Sequence, residues 1–276
     1  MDFNRKVIEE FRANGGRVGG MFEDGRLLLL TTTGARSGAP HTTPLGYLPD
    51  GERVLVIASA GGSPNHPAWF HNLVANPRVR VESGDFDYEA DAVVLEGAER
   101  DAAFARAAEA DPGWAEYESR SGRTLPVVAL VQRQAGPPAG PQSLGGMILA
   151  VHNAFRRELD LIRKEVAASG AGLGAQLRIN CLTLCQGLGN HHLGEDTMLF
   201  PAVERHHPEL APTLAGLKDE HETMKRLLEE LRLVLDYGDA ASLRTEVDRL
   251  TKALNAHLDH EEDTVVPLLD AIEIEI

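Results

Sequence analysis

Histidine is concentrated in the second half of the chain, where eight of its eleven copies follow residue 146. Four of them fall on apolar stripes with the alternating three-and-four spacing of a helix-bundle core, and two glutamates follow a histidine by one turn. The six residues are His152, His191, Glu195, His221, His257 and Glu261. Burying so many polar groups without partners costs several kcal/mol for each group. A cation that binds imidazole and carboxylate together removes this cost, so the pattern predicts a buried metal site.

The ligand types narrow the choice of metal. Imidazole with carboxylate favours iron, manganese or zinc over copper. Four histidines and two glutamates exceed the needs of one tetrahedral zinc, and bridging carboxylates on facing helices hold two metals in helical bundles. In the stretch HLDHEED, the helical register selects Glu261 over Glu262. The sequence therefore favours a non-haem di-iron centre with two Fe.

The stretch NHHLGEDTMLFP raises the question of which adjacent histidine is the ligand. At about 100° per residue, His191 and Glu195 continue the apolar stripe that runs from Leu188 toward Met198. His192 lies about 100° away from this stripe. The register therefore predicts His191 as the ligand and leaves His192 on the flank, as an outer hydrogen-bonding group or a surface residue.

The chain divides at a segment rich in proline and glycine. The run QAGPPAGPQSLGG, residues 134–146, has three prolines, four glycines and no charge, which is typical of a linker. Residues 1–133 contain short β-rich runs between turns, with helical patterns among them, and predict a small α+β barrel. Residues 147–276 contain four long amphipathic patterns and predict an all-α, up-down four-helix bundle.

Two glycine-rich loops in the first half could bind an anion. TTTGARSGAPHTTPL carries Arg36 in a predicted hairpin turn, and SAGGSPNHPAWFHNL runs into a helix opened by Pro67. Backbone N–H groups in such a loop, with a helix N-terminus behind them, can cradle a phosphate. Ordinary turns explain the same residues about equally well, so both interpretations stay open at this point.

Composition restricts the partners. A formal net charge of -15 argues against nucleic acid and anionic membranes, and favours a small-molecule substrate or a metal. The longest apolar run is too short to span a bilayer, and the first residues lack the apolar core of a signal peptide, which predicts a cytoplasmic protein. Cys181 and Cys185 lie one helical turn apart and are expected to be reduced helix residues.

The second half resembles the hemerythrin-like (HHE cation-binding) family over nearly all of residues 147–270. The similarity rests on AVHNAFRRELDLIRKE, NHHLGEDTMLFPAVERHHPEL, LKDEHETMKRLLEEL and LNAHLDHEEDTVVPLLD. It implies the same six ligands, with Glu195 and Glu261 as bridges. Oxygen carriers of the family have a second histidine where this chain has Lys225, which implies reaction with O2, peroxide or NO, or iron sensing, rather than carriage. In a second interpretation, His192, Glu220 or His260 supplies a further ligand or an outer hydrogen bond.

The first half resembles the deazaflavin-dependent nitroreductase family, which also includes quinone reductases, over about residues 3–132. The similarity rests on the two loops above together with DPGWAEYESRSGRTLPVVAL. It implies a split β-barrel of the FMN-binding type that holds coenzyme F-420, alternatively FMN. Tyr117 is implied as a pocket wall and is our candidate proton donor. The cofactor-binding residues implied are Arg36, Ser59, Gly61, Gly62, Trp69 and Trp114. Ala60, Asp111 and Trp114 depart from the residues that family members usually have there.

Together the two halves predict a two-domain redox protein. A deazaflavin-dependent oxidoreductase that reduces nitro or quinone compounds is fused to a di-iron domain that binds or reacts with O2, peroxide or NO. The alternative is a non-catalytic module that senses iron or oxygen, with a barrel that holds a flavin-type cofactor or haem. Split barrels often form homodimers, and we expect one here by fold analogy alone.

Overall fold

The computed structural model describes residues 3–23, 25–84, 86–133, 143–169 and 173–269. The chain forms two compact units, one of Met1–Gly140 with Gly174–Asn180 and the other of Pro141–Leu173 with Cys181–Ile276. Most of the predicted linker, residues 134–142, lies outside the described residues. The first long helix begins at Leu144, inside the predicted linker, because the Ser143 hydroxyl accepts a hydrogen bond from the Gly146 N–H at 3.1 Å and caps it.

The first unit contains a curled antiparallel half-barrel, and the described residues supply seven strands to it. These are β1 (Leu27–Thr33), β2 (Pro40–Gly46), β3 (Leu48–Asp50), β4 (Arg53–Ile57), β5 (Arg78–Ser83), β6 (Phe86–Val94) and β7 (Val127–Gln132). Their order across the sheet is β2-β1-β5-β6-β7-β4-β3. The split-barrel prediction is confirmed.

The two edge strands contain the prolines of the sheet. β2 includes Pro40 and Pro44, and β3 includes Pro49. Because proline cannot donate a ladder hydrogen bond, it is restricted to edges, starts and bulges of strands. β1 pairs with β2 from Leu27 opposite Gly46 to Thr33 opposite Pro40, which confirms the predicted hairpin around Arg36.

Apolar clusters cover both faces of the curled sheet. One contains Leu30, Val81 and Leu130, and the other contains Leu55, Phe104 and Leu125. The described residues between 3 and 133 form four α-helices: α1 (Phe3–Ala13), α2 (Ala68–Ala75), α3 (Gly97–Ala110) and α4 (Gly113–Ser121). Sequence patterns predicted the first three. The fourth, α4, was not predicted because its sequence is largely polar. It ends at Gly122, whose left-handed φ of 65° terminates the helix.

The second half is all helical, as predicted. Its helices are α5 (Leu144–Ala168), α6 (Ala175–Gly194), α7 (Phe200–His206), α8 (Ala211–Tyr237), α9 (Ala240–Thr264) and α10 (Val266–Leu269). Cys181 and Cys185 are buried in α6 and form no disulfide. Within the described ranges, no helix is both long enough and apolar enough to cross a bilayer.

Ion pairs show that neighbouring long helices run antiparallel. Arg156 of α5 pairs with Asp259 of α9 at 2.7 Å, and Arg163 pairs with Asp248 at 3.1 Å, so residue numbers rise on one helix as they fall on the other. Similarly, on α8 and α9, Glu220 pairs with His257 and Glu230 pairs with Arg249, each at 2.8 Å. This up-down order aligns ligands from different helices at one level of the bundle.

The apolar stripe of α6 shifts by one residue after Glu195. A π-helical turn follows α6 from Glu195 to Leu199, and the extra residue in this wider turn moves the buried face along the chain. Leu199 is therefore buried, whereas Met198, predicted on the stripe, is 71 % exposed. The π turn begins at a predicted ligand, consistent with the tendency of such turns to occur at functional sites.

Candidate functional site

The structure brings all six predicted metal ligands into the core of the bundle. Glu195 lies between histidines of α6 and α8, with carboxylate oxygens 3.1 Å from His191 Nε2 and 3.6 Å from His221 Nε2. Glu261 lies between His152 Nε2 at 3.5 Å and His257 Nε2 at 3.8 Å. Each carboxylate therefore faces imidazoles on two helices, which is the arrangement a bridging ligand requires.

His192 is the functional candidate that helical register missed. It is 6 % exposed, and its ligand atom lies within 4.8 Å of those of His221 and His257. A bundle helix has two neighbours, so adjacent residues about 100° apart can face different partners. His191 contacts α5 through His152, while His192 contacts α8 and α9. Of the alternatives given for His192, the surface position is therefore wrong.

Outer carboxylates fix the tautomer of three histidines. The Nδ1–H groups of His152, His221 and His257 donate to carboxylates at 2.9, 2.9 and 2.8 Å. The acceptors are Glu262, Asp196 and Glu220, respectively. Metal-binding histidines usually donate their second N–H in this way, which orients the ring and leaves Nε2 with a lone pair for the metal.

The inner cluster has more acceptor atoms than donors. His152 Nε2 and His191 Nε2 lie 3.2 Å apart. Both carboxylate oxygens of Glu195 and both of Glu261 are buried without a hydrogen-bond partner among the described residues. Buried acceptors facing each other repel, and a cation between them converts this repulsion into coordination. The donor set therefore fits a pair of metal ions held by imidazole and carboxylate.

The pKa values of the inner residues are consistent with a bound pair of metal ions. Burial lowers the pKa of His152 to about 4 and that of His191 to about 3, so both rings are neutral and able to coordinate a cation near pH 7. Burial, together with the like charge of the facing Glu261, raises the pKa of Glu195. Metal ions would reverse the carboxylate shift because they stabilise the ionised form.

Glu220, His260 and Lys225 lie outside the inner cluster. Glu220 is an outer partner, since its oxygens accept from His257 and His260 at 2.8 and 2.9 Å. The His260 side chain is 41 % exposed. Lys225, one turn after His221, has a 65 % exposed side chain beside Glu222. His192 is therefore the additional imidazole that faces the inner cluster.

In the first unit, two asparagines hold the β1–β2 turn through side-chain hydrogen bonds. One is Asn72 in α2, and the other is Asn76, the residue that follows α2. Asn72 Nδ2 donates to Thr32 Oγ1 at 3.1 Å, while its Oδ1 accepts from the Ala35 N–H at 3.0 Å. Asn76 Nδ2 donates to the Thr33 carbonyl at 3.2 Å. The exposed Arg36 stands on this fixed turn. Its guanidinium is therefore available to an anion in solution.

The second glycine-rich loop has three consecutive residues with left-handed backbone. The φ angles are 48° at Ala60, 60° at Gly61 and 80° at Gly62. Successive turn residues of this kind can form a concave cradle of N–H groups for anions. A Cβ on Gly62 would lie 2.5 Å from Arg120 Nε, and Arg120 also donates to the Gly61 carbonyl. Gly62 thus permits close packing of an arginine behind the loop.

Arg123 organises this loop, and sequence patterns did not single it out. Its guanidinium donates to the carbonyls of Ala58, Ser59 and Ser63 at 2.9 to 3.1 Å. It also lies 2.9 Å from His66 Nδ1, and the pKa of His66 is lowered by burial and then by this positive charge. In the sequence, the feature that could have indicated this role of Arg123 is its position directly after Gly122, which ends α4.

The predicted aromatic residues occupy two environments. Trp69 is 5 % exposed and packs in the apolar core beside Leu28 and Leu73. Trp114 and Tyr117 are half-buried, with ring centroids 6.1 Å apart and edge to face. The Arg120 guanidinium lies 5.1 Å from the Tyr117 ring centroid, which links this ring to the glycine loop.

Comparison with known proteins identifies the first half. Residues 3–132 match the family of F420H(2)-dependent quinone reductases. The F420H(2)-dependent quinone reductase Rv1261c of Mycobacterium tuberculosis is 37% identical over 129 residues, which cover 45% of this chain and 85% of that relative. The chain belongs to the F420H(2)-dependent quinone reductase family. A second family member, the putative F420H(2)-dependent quinone reductase Rv3178 of the same species, is 33% identical over 38% of this chain and 89% of its own length.

This quinone reductase family member carries a second domain. Residues 146–269 match the hemerythrin HHE cation binding domain family. Among solved structures, an F420-H2 dependent reductase (FDR-A) is 40% identical over 38% of this chain and 93% of its own, with a TM-score of 0.36. Both family resemblances are confirmed. The quinone reductase half contributes loops suited to an anionic cofactor, and the hemerythrin-like half contributes imidazoles and carboxylates suited to two cations.

Proposed function

We propose that this protein is an F420H(2)-dependent oxidoreductase that reduces a small quinone or nitro compound in its first domain. The observation that supports this most is the 37% identity to Rv1261c over 129 residues, together with the family match over residues 3–132, which include both glycine-rich loops and α4. Bound F420H(2) would supply a hydride, and the quinone becomes a hydroquinone once a proton is added. The protein's own tasks are to bind, orient and protonate.

The cofactor site in this proposal uses Arg36, Ser59, Gly61, Gly62, Trp69 and Trp114. Arg36 and the N–H groups of the left-handed loop bind the anionic tail. Trp114 borders the ring region, and the buried Trp69 supports the loop from the core. FMN is the second cofactor of the same phosphate chemistry, and titration with each distinguishes them. Binding of haem alone would favour a non-catalytic sensing module.

Tyr117 is the proposed proton donor. Its ring contacts Arg120, which in turn binds the glycine loop, so the ring lies beside the proposed cofactor site. Turnover of reduced F420 with a soluble naphthoquinone should fall on the order of 10²-fold in Tyr117→Phe, whereas Tyr237→Phe, on an 87 % exposed ring, should match the wild type. Unchanged turnover in Tyr117→Phe would remove it from this role.

In the second domain, we propose two non-haem irons bound by His152, His191, Glu195, His221, His257 and Glu261. The buried carboxylates without hydrogen-bond partners among the described residues support this set. The irons would provide redox and Lewis-acid chemistry toward O2, peroxide or NO, while the bundle excludes water around them. Elemental analysis of freshly purified protein should give about two irons per chain. One zinc per chain, or no metal, contradicts the proposal.

The fusion leads us to propose that the domains act on one redox process. Iron-depleted and iron-loaded full-length protein should then differ in quinone turnover when an oxidant is present, and equal rates would argue against coupling. Elemental analysis of the purified protein would also reveal manganese or zinc as the resident metal.

Homodimer formation and a cytoplasmic location stay predictions of the sequence. Light scattering in solution tests whether the protein forms a homodimer.

A further inference from the structure

We infer that His192 is a metal ligand, and that it forms a three-imidazole set with His221 and His257. This inference rests on the proposed di-iron function and deepens it. It adds a ligand outside the predicted six and makes the two metal positions chemically unequal. One position has three imidazoles, and the other has two, from His152 and His191, with Glu195 and Glu261 between them.

Geometry brings the three rings together. The His192 ring stacks on that of His221 with centroids 4.2 Å apart and planes 12° apart. The His192 and His257 centroids are 5.2 Å apart and the planes are perpendicular, at 90°. The ligand nitrogens of the three lie within 4.8 Å of one another. Nitrogens at this separation can bind one ion after small rotations of the rings.

An unpaired ring nitrogen of His192 favours a cation beside the three imidazoles. His192 is 6 % exposed, and its Nε2 has no hydrogen-bond partner within the described part of the chain. A histidine with a purely structural role in a core would pair this nitrogen, because leaving it unpaired costs about 1–3 kcal/mol. His221 and His257 cannot donate to it through Nδ1, since those N–H groups already bind Asp196 and Glu220.

The position of Lys225 supports the same conclusion. A ligand one turn after His221 would come from the same helix, but Lys225 points to solvent and pairs with Glu222 at 3.8 Å. His192 reaches the same imidazole pair from α6 instead. The third imidazole is thus supplied by a different helix, just before the π turn at Glu195.

The test compares metal binding in His192→Gln and His206→Gln full-length proteins. His206 is the last residue of α7, is exposed, and lies outside both histidine groups of the core. We expect His192→Gln to retain about one tightly bound iron after reconstitution and desalting, because loss of even an outer partner typically weakens metal affinity 10- to 100-fold and a lost ligand should cost at least as much. His206→Gln should retain the wild-type content. The Mössbauer spectrum of wild-type protein should show two unequal iron sites.

A rescue experiment separates ligation from folding. In His192→Ala, added imidazole should restore the second metal if the lost group was a ligand. Should these variants fail to fold, Co(II)-substituted wild-type protein gives the answer, because each ligand imidazole contributes one paramagnetically shifted, exchangeable N–H signal. Five such signals support the inference and four overturn it.

Failures of the two proposals are distinguishable. Wild-type protein with two irons, together with a His192→Gln protein of unchanged iron content and spectrum, overturns this ligand and leaves the di-iron proposal intact. Wild-type protein that binds no metal overturns the di-iron proposal and His192 with it.

Discussion

The Nε2 atoms of His221 and His257 lie 3.2 Å apart, although neither has a proton to give to the other. Their Nδ1–H groups donate to Asp196 and Glu220, so both Nε2 atoms present lone pairs to the same space. Such a pair is unfavourable in an apolar core unless a cation lies between or beside the two nitrogens. The outer carboxylates that orient these two rings should therefore affect how tightly the bundle holds metal.

Asp196→Ala should release iron more easily, because His221 then loses the acceptor that orients its ring. Loss of an outer partner of this kind typically costs 10–100-fold in metal affinity. The rate of iron transfer to a ferrous chelator measures the change. Asp263→Ala, an exposed aspartate two residues after Glu261, is the matched control. Equal release rates in both variants would contradict the role of Asp196.

Glu261→Gln should stabilise the metal-free protein more at pH 8 than at pH 5. Burial raises the pKa of Glu261, so the folded protein holds this proton to higher pH than the unfolded chain does. The contribution therefore favours folding at low pH and is lost as pH rises from the unfolded value, about 4.3, through the raised folded value. Gln cannot ionise and avoids that loss.

Thermal unfolding of the metal-free proteins at the two pH values measures this difference. Glu222→Gln is the control, because the Glu222 side chain is 70 % exposed on the neighbouring helix and should shift the melting temperature equally at both values. A pH-independent effect of Glu261→Gln would show that Glu261 is already ionised in the folded metal-free core. The same variant should also lose iron.

Gly62→Ala should destabilise the first domain by about 1–3 kcal/mol, the usual cost of a strained backbone. Its φ is 80°, and the new Cβ would lie 2.5 Å from Arg120 Nε. Gly216→Ala is the opposite case, since its Cβ would have no neighbour within 4 Å on α8. That change should stabilise the helix by about 0.5–1 kcal/mol. Chemical denaturation distinguishes the two, and a stable Gly62→Ala protein would show that the loop can rearrange.

Arg123→Lys should weaken cofactor binding and lower the stability of the first domain. A lysine cannot reproduce the planar set of donors that reaches Ala58, Ser59 and Ser63 together. Each lost hydrogen bond contributes about 0.5–1.5 kcal/mol. Titration with reduced F420 measures affinity, with Arg226→Lys on the bundle surface as control. Unaltered affinity would show that the loop keeps its shape without Arg123.

The sequence by itself predicted the six residues of the inner cluster and the two loops. Helical periodicity fixes which residues of one helix share a face, so His152, His221 and Glu261 could each be placed on the buried face of its own helix before any contact was known. Glycine and proline restrict the backbone locally, so the hairpin at Arg36 and the loop at Gly61 were predictable from residue type. Within each helix and each loop, these predictions depend on residues close together in the chain.

The tertiary structure decided which distant residues complete the site. Asp196 and Glu220 bind histidines of other helices, and Arg123 binds a loop about sixty residues away in sequence. The inward position of His192 depends on α6 having helices on two sides. Periodicity describes one helix at a time, whereas the free energy of burying an imidazole depends on the neighbours that packing supplies.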